Sequence, residues 1–380
     1  MTPPGKKLLV FSPLYPPSIG GLQNHAEQFN HEMVKAGHKI LVFTPRLDAQ
    51  TKASETVEDN LHILRFPASE IIPNYPIPHI WRPLFWCMWR KARGWDPEVV
   101  ISRTRFFSTS LLAWLASYRW QTPWLHIEHG SDYPQFGRSL TGLMAHWYDI
   151  TLGRAVLRRA GAVVANSQAS ADFVEQLTGR PATVIYRGID AASITAAEPA
   201  DLVGEHGIPV GAPVIVYAGR LIAGKGVSDL LTAFARLDDP SAHLLIIGDG
   251  PEAEQLKHQA GDNARIHFAG ERDRPQVLGI LKASNIFVNP SYTEGLPSAV
   301  IEAQLAGSYT IATDVGGTSE IQDVTLVPPR SIEALADAIG AGVKTSATPG
   351  RDSISKLEER FSWAAATKKY DALLLTVVKP

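Results

Sequence analysis

The chain has 380 residues, 45% of them apolar and 19% charged, with a formal net charge of −2. That length suits two domains with sizeable cores. The near-neutral balance excludes a global basic field for nucleic acid, so any anion site must be local. One cysteine, Cys87, excludes an internal disulfide. With no CxxC or His-rich cluster there is no sign of a metal site, and a reducing, cytoplasmic setting is expected.

The first seven residues are polar and basic, and the apolar run 8–11 is too short for a signal-peptide core. No stretch reaches the roughly 18 apolar residues of a spanning helix, so any membrane contact is expected to be peripheral. Residues 7–11 read as a buried strand, followed by a Pro/Gly-rich loop over 13–21. Residues 22–36 read as a helix, with Ala26, Phe29, Met33 and Ala36 on one face and Gly37 as the stop. A strand at 39–44 completes a βαβ unit and implies a parallel sheet. Further strands are expected at 61–66, 98–102, 124–127, 162–165 and 183–186.

A polar stretch over 190–212 marks the domain boundary, and then the pattern restarts. Strands are expected at 214–218, 243–247, 266–269, 286–289 and 310–312, with helices at 226–236 and 252–260. A last helix over 355–376 carries Trp363, Tyr370, Leu373 and Leu374. The division is therefore 1–190, joined by a returning helix at about 362–380, and 205–360. The fold class is α/β, with two Rossmann-like halves.

Three loops at strand ends stand out. Gly20 and Gly21 lie between the first strand and first helix, where backbone N–H groups can approach a phosphate; a plain turn accounts for them equally well. His25 follows one turn into the helix. No G-x-G-x-x-G is present and the second strand ends in Thr44-Pro45, which disfavours NAD(P). Arg220 and Lys225 sit in a Gly-rich loop after the strand at 214–218. Two cations there suit a diphosphate, and Gly226 after Lys225 departs from a nucleotide-hydrolase P-loop. The third loop carries Glu294 before a helix that contains Glu302. Pro297 suits that helix's first position and Gly307 its end. Carboxylates accept hydrogen bonds from hydroxyls, so sugar and ribose are suitable partners.

In this order the motifs resemble glycosyltransferase family four, the retaining GT-B enzymes. Gly20 to His25 resembles the family's G-G-x-x-x-H; Arg220 to Gly226 its R-L-x-x-x-K-G; Glu294 to Glu302 its E-x7-E opened by E-G-L-P. Smaller matches are GDGPE at 248–252, ANS at 165–167 and ATDVGGTSEI at 312–321. The resemblance implies a GT-B fold, two Rossmann-like domains facing a central cleft, and a nucleoside-diphosphate-sugar donor, UDP or GDP, with no cofactor and no metal. It implies that Arg220 and Lys225 hold the diphosphate and Glu302 the ribose. Glu294 would orient the sugar beside the backbone of Gly295, Leu296 and Ser298, and Gly20 and Gly21 would approach the donor. His129 matches a first-domain histidine near the reacting centre, so the implied catalytic set is Arg220, Lys225, Glu294 and His129. His126, inside its strand, reads as a core histidine. Tyr186-Arg187-Gly188-Ile189-Asp190 and Ser308-Tyr309 depart from the family pattern and bear on loop shape and acceptor choice.

A hexosyltransferase that retains anomeric configuration follows from the resemblance. A sugar-nucleotide epimerase of the same fold, or an inactive nucleotide-sugar binder, are the alternatives. Residues 80–93, with Trp81, Phe85 and Trp89 at helical spacing and Arg90, Lys91 and Arg93 nearby, read either as an ordinary packed helix or as an interfacial one. In the second case a lipid-linked saccharide acceptor, surface polysaccharide or glycolipid assembly, and the inner membrane face follow.

Overall fold

A computed structural model describes residues 5–18, 20–72, 75–133, 140–345 and 350–377. The chain divides into two compact units, Met1–Gly188 with Trp363–Pro380, and Ile189–Ser362. Each is an α/β unit built on one sheet.

The first unit contains strands β1 (Lys7–Phe11), β2 (Lys39–Arg46), β3 (Ser54–Glu58), β4 (Leu61–Ile72), β5 (Tyr75–Pro78), β6 (Val99–Arg103), β7 (Trp124–Glu128), β8 (Ala162–Ala165) and β9 (Thr183–Val184). Its helices are α1 (Gly21–Lys35), α2 (Pro83–Gly94), α3 (Ser108–Trp120), α4 (Leu140–Tyr148), α5 (Arg154–Arg159) and α6 (Gln168–Thr178); a π-turn, Asp149–Gly153, joins α4 to α5. The sheet runs β3-β4-β2-β1-β6-β7-β8-β9, parallel except for β3, and β5 pairs antiparallel with β4. Helices cover both faces, so the central strands are apolar runs rather than alternating ones. Leu9, Phe11 and Phe43 face Phe85, Trp89, Leu112 and Val156. Their neighbours Leu8, Val10 and Val42 face Phe29, Met33 and, from the chain's end, Trp363, Tyr370 and Leu374.

The second unit contains α7 (Ala191–Ala196), α8 (Leu202–His206), β10 (Val214–Ala218), α9 (Val227–Phe234), β11 (His243–Ile247), α10 (Ala253–Ala260), β12 (Ile266–Gly270), α11 (Arg274–Ala283), β13 (Ile286–Asn289), α12 (Ser298–Leu305), β14 (Tyr309–Thr313), β15 (Thr325–Val327), α13 (Ile332–Thr345) and α14 (Arg351–Arg360). Its sheet, β12-β11-β10-β13-β14-β15, is wholly parallel. The chain then re-enters the first unit as α15 (Trp363–Val377).

Three expectations need correction. The polar stretch at 190–212, read as the domain boundary for its lack of periodicity, forms two short helices. Asp190 and Asp201 cap α7 and α8 by accepting from Ser193 and Gly204, and this stretch groups with the second unit. The final helix at 355–376 is two helices, broken at Phe361 and Ser362 where the chain passes between units. The strand at 61–66 runs on to Ile72 and gains two antiparallel partners. One of them, β3, is polar and largely exposed, so no apolar run announces it.

Candidate active site

The second sheet reverses its order at β10. From β10 the chain winds through β11 to β12, and then returns to the other side of β10 as β13. Loops leaving the carboxyl ends of strands beside such a reversal form a crevice for ligands. Here those loops carry the motif residues. Arg220 follows β10 with its side chain exposed, its carbonyl accepting from the buried Tyr217 hydroxyl at 3.0 Å. Lys225 closes a short 3-10 turn, Ala223–Lys225. Its Nζ lies 2.6 Å from Glu294 Oε1, the side chains being 27% and 13% exposed. Asn289 Nδ2, at the end of β13, also donates to Glu294 Oε1 at 3.3 Å. Burial works to raise the Glu294 carboxyl. The Lys225 charge and hydrogen bonds from Lys225, Ser291 and Asn289 outweigh it and hold the group below the usual carboxylate range.

The loops are locked together by backbone. Tyr292 N donates to Gly224 O at 2.9 Å. Gly226 has φ 64°, and a Cβ there would lie 2.1 Å from the Pro290 carbonyl oxygen. Only glycine fits that crossing. The GDG sequence after β11 acts similarly: a Cβ on Gly248 would lie 1.9 Å from Gly219 O. Leu221 N donates to Asp249 O at 2.9 Å. The smaller motif thus supports the loop that holds the cations.

Glu302 lies buried in α12, and Arg274 Nη1 donates to its Oε1 at 2.8 Å. Gly317 N donates to Gly295 O at 2.8 Å, which pins the approach to the helix. Leu296 and Pro297 are buried, and Pro297 still has extended backbone (ψ 93°). It is therefore the residue before the helix, not its first position, which Ser298 takes. Gly307, with φ 98°, follows the helix end.

In the first unit the sheet reverses between β1 and β6. Gly20 precedes α1 and accepts from Asn24 N at 3.0 Å; Gly21 is the first helical residue. His25 is buried, stacked on Trp363 (centroids 5.5 Å apart) and edge-on to His129 (5.1 Å). His129 follows β7. Its backbone N–H and that of Gly130 both donate to Glu128 Oε1, at 2.9 and 2.8 Å. Glu128 is fully buried and pairs with Arg105 at 3.2 Å, which also grips Asp149 at 2.9 and 2.7 Å. Burial alone would raise the Glu128 carboxyl; the Arg105 charge and the His126 and Gly130 hydrogen bonds drive it far below the usual range. Burial, with the nearby Arg103 charge, pushes the His129 imidazole down to about 3 against the pull of Glu128, so the ring is neutral at ordinary pH. His126 is a core residue, 2.7 Å from Ser102 Oγ.

The structure thus brings Lys225 to Glu294, places Arg220 on the same loop, and sets Glu302 against Arg274. Gly20, Gly21 and His129 belong to the other unit. Sequence reasoning missed Asn289, Arg274, Arg105, Glu128 and Asp149. Two arginines crowding the end of a predicted strand, in SRTR at 102–105, were a usable signal for Arg105. Asp149, distant in sequence, offered none.

A doubly wound pair of units with these loops defines a GT-B-type transferase. Residues 19–193 match the family described as Glycosyltransferase Family 4, and residues 212–344 match Glycosyl transferases group 1. The glycosyltransferase MJ1069 of Methanocaldococcus jannaschii is 30% identical over 98% of this chain and 99% of its own. Among solved structures, sucrose-phosphate synthase of Thermosynechococcus elongatus superposes with a TM-score of 0.79 at 21% identity, covering 98% of this chain and 99% of that one. HepE of Anabaena, in complex with UDP and glucose, gives 0.77 at 20% identity over 98% and 100%. The chain belongs to the family 4 glycosyltransferases and has the GT-B fold.

Proposed function

We propose that this glycosyltransferase moves a hexosyl group from a nucleoside-diphosphate donor, UDP- or GDP-linked, to an acceptor with retention of anomeric configuration and without a metal. The observation that carries the reading is the Lys225–Glu294 pair, held at a strand-order reversal beside the exposed Arg220. As the donor's glycosidic bond breaks, negative charge grows on the diphosphate. Arg220 and Lys225 are cations carried on a loop whose backbone is locked, so they stabilise that charge with little reorganisation of the chain. Glu294 accepts from sugar hydroxyls and Glu302 from ribose hydroxyls. Backbone N–H groups around Gly295, Leu296 and Ser298 lead into the amino end of α12, and Gly20 and Gly21 give a similar approach in the first unit. HepE, whose complex holds UDP and glucose, supports the choice of donor class.

Thermal shift against UDP, GDP, ADP and NAD tests the donor. A ligand at about a hundredfold excess over its Kd adds about 2.7 kcal/mol of apparent stability. One nucleoside diphosphate should raise Tm, and Arg220→Ala should abolish the rise; a response to NAD alone would defeat the reading. NMR of the product anomer in the presence of EDTA tests retention and metal independence together. Product formed without any acceptor would point to an epimerase.

The acceptor is proposed to be a lipid-linked saccharide, met at the cytoplasmic membrane face during surface polysaccharide or glycolipid assembly. Phe85 and Trp89 do not serve this role, since both pack in the core. Trp81 before α2, with Ile80, Leu84 and Trp86, stands exposed, and α4 adds Leu143, Met144 and Trp147, each more than half exposed. Arg82, Arg90, Lys91, Arg154, Arg158 and Arg159 are exposed on the same elements or the helix that follows. Aromatic, aliphatic and basic side chains together suit an anionic lipid surface. No helix among the described residues is long and apolar enough to cross a membrane. Flotation with anionic vesicles should carry the protein, and the double substitution Trp81→Ala, Trp147→Ala should leave it in the pellet; equal flotation of both would remove this surface.

A further inference from the structure

Arg103, the last residue of β6, is fully buried and, among the described residues, meets no carboxylate. Buried charges are ordinarily paired. Instead its guanidinium lies over the Phe29 ring, 4.5 Å from the centroid, with Nε and Nη2 buried and without hydrogen-bond partners. Its one polar contact among the described residues is Nη1 to His25 Nδ1, at 3.1 Å. A guanidinium only donates, so His25 Nδ1 must accept and the imidazole proton sits on Nε2. The His25 ring so fixed meets two others: it stacks on Trp363 at 21° and is edge-to-face with His129 at 81°. His129 Nε2 is itself buried and has no partner among the described residues.

We propose that Arg103 is a positioning residue for His129, acting through His25: it holds the His25 ring in one tautomer and orientation, and that ring sets the face against which His129 rests. The inference rests on the reading that places His129 near the reacting centre. A lone buried cation has a second effect, because it opposes a further positive charge on either imidazole. The groups facing the ring pair are Arg103 from β6, Arg187 from the segment after β9, and Glu128 and His126 from β7. Tyr370 of α15 and Tyr15 flank the guanidinium itself. Burial, the Arg187 and Arg103 charges and the His129 ring all act in one direction on His25, lowering it well below its ordinary value. His129 therefore meets an acceptor hydroxyl as a neutral ring, able to take a hydrogen bond on one nitrogen while giving one from the other.

Ring-proton NMR titration of His129 in the full chain tests this. In the wild-type protein the ring should stay unprotonated through pH 5. Arg103→Met should move the midpoint up by about one pH unit or more, a tenfold change in proton affinity; Arg103→Lys, which keeps the charge, should restore the low midpoint. A midpoint in Arg103→Met equal to the wild type would overturn the proposal. Should that variant not fold, His25→Phe keeps a ring between Trp363 and His129 but gives Arg103 no acceptor. Its kcat should fall about tenfold with KM for the donor unchanged, since a misplaced group costs rate rather than ground-state binding; wild-type kcat would overturn the proposal equally. Full transfer activity in His129→Ala would instead remove the reading this rests on, and the titration would still report whether Arg103 acts on the ring.

Discussion

The carboxyl ends of β10 and β13 flank the reversal of strand order in one sheet, and those of β6 and β7 lie to one side of the reversal in the other. They use charge in opposite ways. In the second unit Arg220 is exposed, and Lys225 and Glu294 pair at 2.6 Å with the lysine still 27% exposed. In the first unit Arg105, Glu128 and Asp149 are closed off, their side chains 3%, 0% and 0% exposed. Accessible charge is available to a ligand. Buried charge is spent on the backbone: Glu128 holds the N–H groups of His129 and Gly130, and Arg105 holds Glu128. In the proposed function one region binds and the other aims.

The sharpest way to break this contrast is to remove the centre of the buried network. Arg105→Met leaves Glu128 and Asp149 as uncompensated buried carboxylates, which typically costs about 3–5 kcal/mol. Urea unfolding should show that loss. A variant within about 0.5 kcal/mol of wild type, the range of an ordinary surface change, would mean the network does not hold the fold.

Next in size is the opposite experiment. Arg220→Ala and Lys225→Ala should each lower the transfer rate by roughly 10²–10³-fold, the usual cost of one preorganised transition-state donor. Because Arg220 is exposed, Tm should scarcely move in Arg220→Ala; Lys225→Ala, which takes the cation from Glu294, should lower it as well. A rate near wild type in both variants would sink the diphosphate site. A large fall in Tm in Arg220→Ala would place that residue with the buried class instead.

A smaller effect separates the regions by pH. In the unfolded chain a histidine titrates near 6.5, whereas His129 in the fold is held down to about 3. Between those values the unfolded state binds a proton that the folded state does not. Its contribution is therefore complete above pH 6.5 and is lost as the pH falls toward 3, at up to about 1.4 kcal/mol per pH unit. His25, also lowered, adds in the same sense. Urea midpoints at pH 7 and pH 5 should differ by more in the wild type than in His129→Gln, and equal differences would remove the claim that burial keeps the ring neutral.

This contrast also explains what could be read from the chain before its structure. Parallel strands covered on both faces are unbroken apolar runs, so β1, β10 and β11 were plain, and the restart of the pattern after residue 212 was plain with them. The loop residues Arg220, Lys225 and Glu294 were legible because close backbone crossings demand glycine beside them, and glycine at fixed spacing is visible. Gly226 against Pro290 is such a crossing. The buried network left no comparable trace. Arg105 and Asp149 are 44 residues apart, and Asp149 reaches the arginine from the π-turn after α4. The polar strand β3 was missed because its pattern resembles a loop, and the break at Phe361 because no glycine or proline marks it.

The smallest prediction concerns Ser167, which sits in the ANS motif and so looks like part of a site. The structure gives it other work. It is fully buried as the N-cap of α6, and its Oγ accepts from Ser170 N at 3.0 Å. Asn166 joins through Ser170 Oγ, which donates to Asn166 Oδ1 at 2.9 Å. A cap serves one of the amides that a helix start leaves unpaired, and replacing it with alanine typically costs about 1 kcal/mol. Ser167→Ala should lower stability by that amount and leave kcat and the nucleotide-induced Tm rise unchanged. Were transfer lost while stability held, Ser167 would join Arg220 and Lys225 as a ligand-facing residue. The first unit would then carry accessible chemistry at the end of β8, and the division between a region that binds and a region that aims would fail there.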